Sequence, residues 1–259
     1  MPSILESERT APNPAEHHDC LWRLASDHHE WLADLLIKHL ALAPHHRLVD
    51  LGAGTGLMLQ LLCHRIRFYN KPIAVEPDRG MLALAKQRFG VRCLESTAED
   101  YLVSERALDR VLMKEMVHHL QDRPAFWRHL LAAMNPGGRA VVMTRPQVPG
   151  FPFFDKAMEA FVRSQPAIDR LLDEISQAGL VPEVHFVSRP ISLSKERWET
   201  MLRNRFSSNL NALSDADIEQ GIRETRRRFV GPTVDFDEQL VIIEASHPEK
   251  LAVRSLFKE

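Results

Sequence analysis

The sequence predicts an α/β fold, a mostly parallel sheet with helices on both faces, and three observations predict it. Short apolar runs alternate with helix-length stretches through the first 145 residues, the rhythm of strands joined by crossover helices. The run Leu48-Val-Asp-Leu-Gly-Ala-Gly-Thr-Gly-Leu57 closes an apolar strand with a glycine-rich turn. Twenty residues beyond Gly56, a second apolar stretch ends in an acid, Glu76, within Ala-Val-Glu-Pro-Asp. A strand, a ligand-gripping turn, a helix and a second strand tipped by a ribose-binding carboxylate would read this way.

The elements follow in order. Residues 1–16 are polar and proline-bearing and read as a loose arm. Between Cys20 and Leu42 the apolar positions Leu21, Leu24, Trp31, Leu35 and Leu36 recur at helical spacing, and Pro44 closes that helix. The first strand covers 47–51, and the glycine turn opens a helix over 56–65. Strands at 72–75 and 91–94 flank an Ala- and Leu-rich helix over 80–89, and a short acidic helix lies near 99–102. A fourth strand covers 108–113. The helix over 123–134 is stopped by Asn135-Pro-Gly-Gly, and a fifth strand covers 139–144. Several of these strands lack period-two alternation, as expected when both faces of a sheet are buried.

Beyond Arg145 the rhythm changes. Pro146, Pro149, Gly150 and Pro152 punctuate a segment carrying Phe151, Phe153 and Phe154. Helices are expected to about residue 162 and over 167–178, with a sixth strand over 184–188. Two more helices, over 195–205 and 215–227, have Ser194 and Ser214 as caps, and a last strand covers 239–245.

At 259 residues and 44% hydrophobic, the chain can bury a substantial core within one domain. Lys plus Arg is 33 and Asp plus Glu is 35. That balance argues against a nucleic-acid partner, which calls for a clustered basic surface. Cys20, Cys63 and Cys93 are far apart and suit a reducing compartment. No apolar run approaches membrane-spanning length, so a soluble cytoplasmic protein is expected, with no membrane partner. Oligomeric state is left open.

The glycines do not fit the dinucleotide fingerprint, which spaces them at the first, third and sixth positions of its motif. Here Gly52, Gly54 and Gly56 fall at the first, third and fifth, behind Asp50, whose carboxylate would oppose a pyrophosphate but support an ammonium group. No lysine followed by Ser or Thr completes a P-loop.

On Val49-Asp-Leu-Gly-Ala-Gly-Thr-Gly56, Val75-Glu-Pro-Asp78, Leu108-Asp-Arg-Val-Leu-Met-Lys-Glu-Met-Val-His-His-Leu120 and Asn135-Pro-Gly-Gly-Arg139, the chain resembles the class I S-adenosylmethionine-dependent methyltransferases. The resemblance covers roughly residues 45–145 in motif form. It implies a Rossmann-like seven-stranded sheet, mostly parallel with an antiparallel last strand, plus a helical cap. It implies S-adenosyl-L-methionine as cofactor, with Asp50, Gly52, Ala53, Gly54 and Gly56 cradling its methionyl part and Glu76 holding the ribose. Pro77 and Asp78 would line the adenosine side, with Met81 against the adenine. Thr97 stands where such enzymes often carry an acid, so Thr97 or the backbone at Ala98 would read the adenine edge, with Glu99 nearby. Lys114 would lie beside the methionyl group. Within one domain, 1–43 becomes an arm and covering helix and 44–145 the cofactor-binding core. Residues 146–180 and 190–235 then supply cap elements.

Methyl transfer needs a lone pair aligned with the methyl carbon, and a base only where the nucleophile must lose a proton. Lys114-Glu-Met-Val-His-His119 follows the fourth strand, at the end of a parallel sheet that opens on the ligand crevice. Glu115, His118 and His119 are therefore the catalytic candidates, since histidine titrates near neutrality. His28 and Trp31 on the first helix, Phe151 and Phe154 in the proline-rich segment, and Arg203 and Phe206 further on are candidate substrate contacts. Of His28 and His29, consecutive on a helix, at most one is expected to enter the cleft. No carboxylate or cysteine set completes a metal site around the histidine pairs, so no metal is predicted. The expected reaction is transfer to an O, S or N nucleophile of a small aromatic or heterocyclic metabolite. A nicotinamide-dependent oxidoreductase and a non-catalytic methyltransferase-like binding protein are the alternatives.

Overall fold

The computed structural model describes residues 19–248 except Phe89; the arm expected over 1–16 lies outside them. The strands are β1 (Leu48–Leu51), β2 (Ile73–Val75), β3 (Arg92–Leu94), β4 (Leu108–Lys114), β5 (Met134–Thr144), β6 (Val181–Ser194) and β7 (Thr233–Ser246). They form one sheet in the order β3-β2-β1-β4-β5-β7-β6. The pairings from β3 to β5 are parallel, and β7 runs antiparallel to both β5 and β6. Besides a helical turn at residues 19–21, the helices within the described residues are α1 (His28–Leu40), α2 (Leu57–Arg65), α3 (Arg79–Ala85), α4 (Ala98–Ser104), α5 (Arg123–Ala133), α6 (Asp155–Ser164), α7 (Ile168–Gln177), α8 (Lys195–Arg203) and α9 (Asp215–Arg228). None in the described residues is long and apolar enough to cross a membrane.

Three apolar clusters hold these elements together. Phe126, Trp127 and Leu130 of α5, with Leu171 and Ile175 of α7, cover one face of the sheet. Leu32, Leu36 and Leu40 of α1, with Leu59 and Leu62 of α2, cover the other. The central strands are buried on both faces, so their sequence shows no alternation. A separate third core gathers Phe151, Phe153, Phe154 and Phe161 with Trp198, Met201 and Phe206 under α6, α8 and α9.

Most differences from the sequence expectation concern boundaries. The helix expected from Cys20 is interrupted: residues 19–21 are helical, 22–27 are not, and α1 starts at His28, because Leu21 and Leu24 pack into the third core while Leu32 onward packs on the sheet. One straight helix cannot serve both. The helix expected over 80–89 is α3, Arg79–Ala85, capped by Asp78 Oδ1 accepting from the Met81 amide at 2.8 Å. β6 and β7 are each 14 residues long, well beyond the expected 184–188 and 239–245, pairing from Val181↔Ser246 to Ser194↔Thr233. Their far half carries Ile191, Leu193 and Val234 into the third core, so the strands serve sheet and cap together. Ser194 and Ser214 cap α8 and α9 as the sequence predicts, the latter in a reciprocal capping box with Asp217.

Candidate active site

The C-terminal ends of β1, β2, β4 and β5 open on a cleft of about 790 Å³, a normal size for a small-molecule site. Its floor is the glycine turn. Gly52 sits at φ +72°, and a Cβ there would stand 2.9 Å from the Met116 Cβ, so backbone is exposed to the cleft where a side chain would clash. Glu76 is clamped at the tip of β2. Its Oε2 accepts from the Gly54 amide at 2.8 Å, and its Oε1 accepts from the Asp78 amide at 2.9 Å. Each oxygen retains a second lone pair for a ligand hydroxyl.

Asp50, at 2% exposure, has no hydrogen-bond partner for its Oδ1. Burial, against the pull of Lys114 and with the repulsion of Glu76, pushes its carboxyl up to about 8. An orphaned buried acid beside exposed glycine backbone is a fit for a ligand carrying a positive group. Ala53, Pro77, Asp78, Met81, Thr97, Ala98, Glu99 and Lys114 also line the cleft. Thr97 caps α4, its Oγ1 accepting from the Asp100 amide at 3.1 Å. Glu99 Oε1 accepts from the Gln121 amide at 3.1 Å, which ties α4 to the segment after β4.

That segment turns sharply. Glu115 adopts φ +53°, and Val117–His119 forms a single 3-10 turn. Glu115, His118 and His119 all line the cleft. His119 is exposed, while His118 is largely enclosed with an unpartnered Nδ1. Burial, aided by the adjacent His119, pulls the His118 imidazole down to about 4, so it is neutral at physiological pH. Glu115 Oε1 lies 3.1 Å from Arg145 Nε, which commits this carboxylate to an ion pair.

Arg145 is the main feature that sequence reading missed. It is 3% exposed and also bonds Glu238 through Nη2 at 2.8 Å. Its guanidinium lies over Phe151, 4.5 Å from the ring centroid, and 5.2 Å from that of Trp22. The second Glu238 oxygen is 2.8 Å from His28 Nε2. Burial would raise the Glu238 carboxyl, but the Arg145 charge and the His28 and Arg145 hydrogen bonds outweigh it and hold it at about 2. His29 lines the cleft too, pulled down to about 4 first by burial and then by His28 and Lys114. The expectation that only one of His28 and His29 enters is therefore corrected. Both sit in the first turn of α1, whose N-terminal end meets the cleft.

Five of the predicted contacts do not line the cleft. Gly56 starts α2 at φ +72°, where a Cβ would stand 3.0 Å from the Ala85 Cβ, so it serves helix packing. Trp31 turns away to lie under Arg189, 5.0 Å from ring centroid to guanidinium. Phe151 and Phe154 belong to the third core, Phe151 one layer behind Arg145. Arg203 is exposed and paired with Glu219 at 2.7 Å, a solvated partner in place of a substrate carboxylate. Phe206 does line the cleft, joined by Trp22, Phe161, Gln165, Ser207, Ser208 and Asn211. No pattern marked these polar residues in sequence, because they come from the ends of cap elements.

Comparison with known proteins agrees with this geometry. A family model described as a methyltransferase domain matches residues 24–186. In sequence, no curated protein matches. Among solved structures, YcgJ from Bacillus subtilis superposes with TM-score 0.59 at 17% identity, over 84% of this chain and 98% of that one. Geranyl diphosphate C-methyltransferase from Streptomyces coelicolor, with Mg²⁺, geranyl diphosphate and S-adenosyl-L-homocysteine, gives 0.57 at 19% identity, over 92% and 86%. Phosphoethanolamine N-methyltransferase 2 from Haemonchus contortus, with phosphomonomethylethanolamine and S-adenosylhomocysteine, gives 0.57 at 16% identity. It is matched over 84% of this chain, which spans about half (52%) of that enzyme. A sheet of order 3-2-1-4-5-7-6, the glycine turn beside Glu76 and the family match over most of the chain lead to one assignment: the protein belongs to the class I S-adenosylmethionine-dependent methyltransferases.

Proposed function

We propose that the protein transfers the methyl group of S-adenosylmethionine to an oxygen, sulfur or nitrogen nucleophile of a small metabolite, with a planar aromatic or heterocyclic acceptor preferred. One observation carries this reading: His118, a neutral imidazole with an unpartnered Nδ1, faces the cleft directly after β4. The cofactor supplies a methyl group activated on a positively charged sulfur. Glu76 accepts from the ribose hydroxyls, Asp50 and Lys114 flank the amino-acid end, and Met81, Thr97, Ala98 and Glu99 border the base. A protonated histidine would be repelled by the sulfonium, whereas neutral His118 is not. His118 accepts the proton that the nucleophile loses as its bond to carbon forms. The Glu115–Arg145 pair holds the turn that presents it.

Phe161 and Phe206, both in the cleft lining, support a planar acceptor. Gln165, Ser207, Ser208 and Asn211 offer hydrogen bonds to orient it, and α6, α8 and α9 form the cap that excludes water. Calorimetric titration with S-adenosylmethionine, S-adenosylhomocysteine and NADH, followed by a screen of small phenols, thiols and heterocycles, tests the reading. Binding of the first two with turnover on one of those classes supports it. Tight cofactor binding with no turnover on any acceptor points to the non-catalytic alternative. In the same titration, Glu76→Ala is expected to weaken cofactor affinity by about 1–3 kcal/mol through lost hydrogen bonds in a buried site.

Asp50 makes a separate, pH-dependent prediction. Its carboxyl sits at about 8 in the free cleft, and a cation bound beside it favours the charged form. Cofactor binding at pH 7 should therefore release a proton, and affinity should rise as pH climbs towards 8. Binding heats compared in buffers of different ionisation enthalpy measure that proton. An Asp50→Asn protein that releases as many protons as wild type would remove Asp50 from this role.

A further inference from the structure

At the end of the sheet opposite the cleft, four potential metal ligands converge. His39 stands in the last turn of α1, Glu183 and His185 are on β6, and Glu244 is on β7. In the β6–β7 ladder Glu183 pairs directly with Glu244, and His185, two residues on, shares their face. Like charges directly opposite destabilise a sheet, so this pair calls for a cation. Arg139 Nη1 takes one Glu244 oxygen, Oε2, at 2.6 Å. The other, Oε1, lies 2.8 Å from His39 Nδ1 and 3.5 Å from His185 Nε2. His185 Nε2 is also 3.4 Å from Glu183 Oε1. It is shielded from solvent yet makes no hydrogen bond, although two carboxylate oxygens stand near it.

We propose that His39, Glu183, His185 and Glu244 form a structural zinc site that pins the C-terminal end of α1 to the β6–β7 edge. Tetrahedral zinc with bonds of about 2.0–2.2 Å holds its donors about 3.3–3.5 Å apart. The His185 separations of 3.4 and 3.5 Å already have this spacing, and the donors of His39, His185 and Glu244 lie within 4.8 Å of one another. Binding requires the His39–Glu244 hydrogen bond to open by about 0.5 Å and the exposed Glu183 side chain, now 3.4 Å from His185, to swing in as the fourth donor. Imidazole and carboxylate donors suit zinc, and Glu183 and Glu244 offset its charge, with Glu244 shared between the ion and Arg139. Four protein donors leave no open position, which makes the site structural and not catalytic. The same helix carries His28 and His29 at its other end, so the clamp would stiffen the element that borders the cleft.

The test uses full-length protein freed of metal by dialysis against chelator and titrated calorimetrically with Zn²⁺ alone. One equivalent should bind and raise Tm. His185→Ala and the exposed Glu183→Gln should each weaken Zn²⁺ binding by at least about tenfold, the loss expected even of changes outside the ligand set. Both should keep the wild-type far-UV circular dichroism and affinity for S-adenosylhomocysteine. Co²⁺ in place of Zn²⁺ should give the visible absorption of a four-coordinate ion in wild type and not in His185→Ala. Absence of stoichiometric Zn²⁺ binding by wild type, or binding unchanged in both variants, overturns the proposal. Zn²⁺ binding requires neither cofactor nor acceptor, so the outcome is independent of the proposed methyl transfer.

Discussion

His118→Ala should lower turnover about 10²–10⁴-fold, the usual contribution of a positioned general base, with affinity for S-adenosylmethionine unchanged. The two parts of this expectation have separate origins. His118 lines the cleft from the turn after β4, while Glu76 and the glycine turn hold the opposite side from β1 and β2. Single-turnover kinetics are the proper readout, because product release can mask a loss in the chemical step. His118→Asn keeps much of the shape without the basicity, and it should be equally slow. A wild-type rate in either variant would make His118 a packing residue. The same group also shapes stability. His118 and His29 are held below the ordinary value of 6.5, to about 4. As pH falls, the unfolded chain therefore takes up protons before the folded one does. The stability contributed by these two histidines should be complete above pH 6.5 and decline between about 6.5 and 4. Plots of Tm against pH should be flatter over that window in the His118 variants.

Arg145→Leu is expected to destabilise the fold by about 3–5 kcal/mol, because it strands a buried carboxylate. Glu238 is fully buried, and its two oxygens are satisfied by Arg145 at 2.8 Å and His28 at 2.8 Å. Removing the guanidinium leaves the second contact but not the charge that keeps this acid ionised. Glu115 loses its partner in the same step, and the stacking over Phe151 and Trp22 goes too. The double variant Arg145→Leu, Glu238→Gln should recover most of the loss, since a buried ion pair replaced on both sides is often nearly neutral. Urea unfolding with a constant m-value measures both. A single variant as stable as wild type would mean that the network contributes no net stability.

Local sequence was a good guide wherever the cleft is built from neighbouring residues. Gly52, Gly54 and Glu76 come together through one strand–turn–helix–strand unit, and their spacing reports the geometry directly. The Lys114–His119 turn is likewise contiguous, so its cleft-facing residues could be named in advance. The aromatic segment was misleading. Phe151 and Phe154 look like a substrate wall in sequence, but an apolar ring satisfies a core as well as a ligand, and here the third core takes them. Arg203 shows the converse: an exposed arginine near the cap met Glu219 one helix away, a partner that α8 and α9 create only by packing together.

The sequence by itself determined the parallel strands and their glycine turn, through local periodicity and short-range spacing, and its motifs carried the resemblance to the family. Tertiary structure alone decided the cap side of the cleft and both polar clusters. His28 and Glu238 are 210 residues apart and Arg145 and Glu238 are 93 apart. His39 and Glu244 are 205 apart. All three contacts exist because β7 runs back antiparallel between β5 and β6, bringing late residues beneath the first helix. Each acid needs a cation or an imidazole once it is buried, and only the folded chain shows which one it meets.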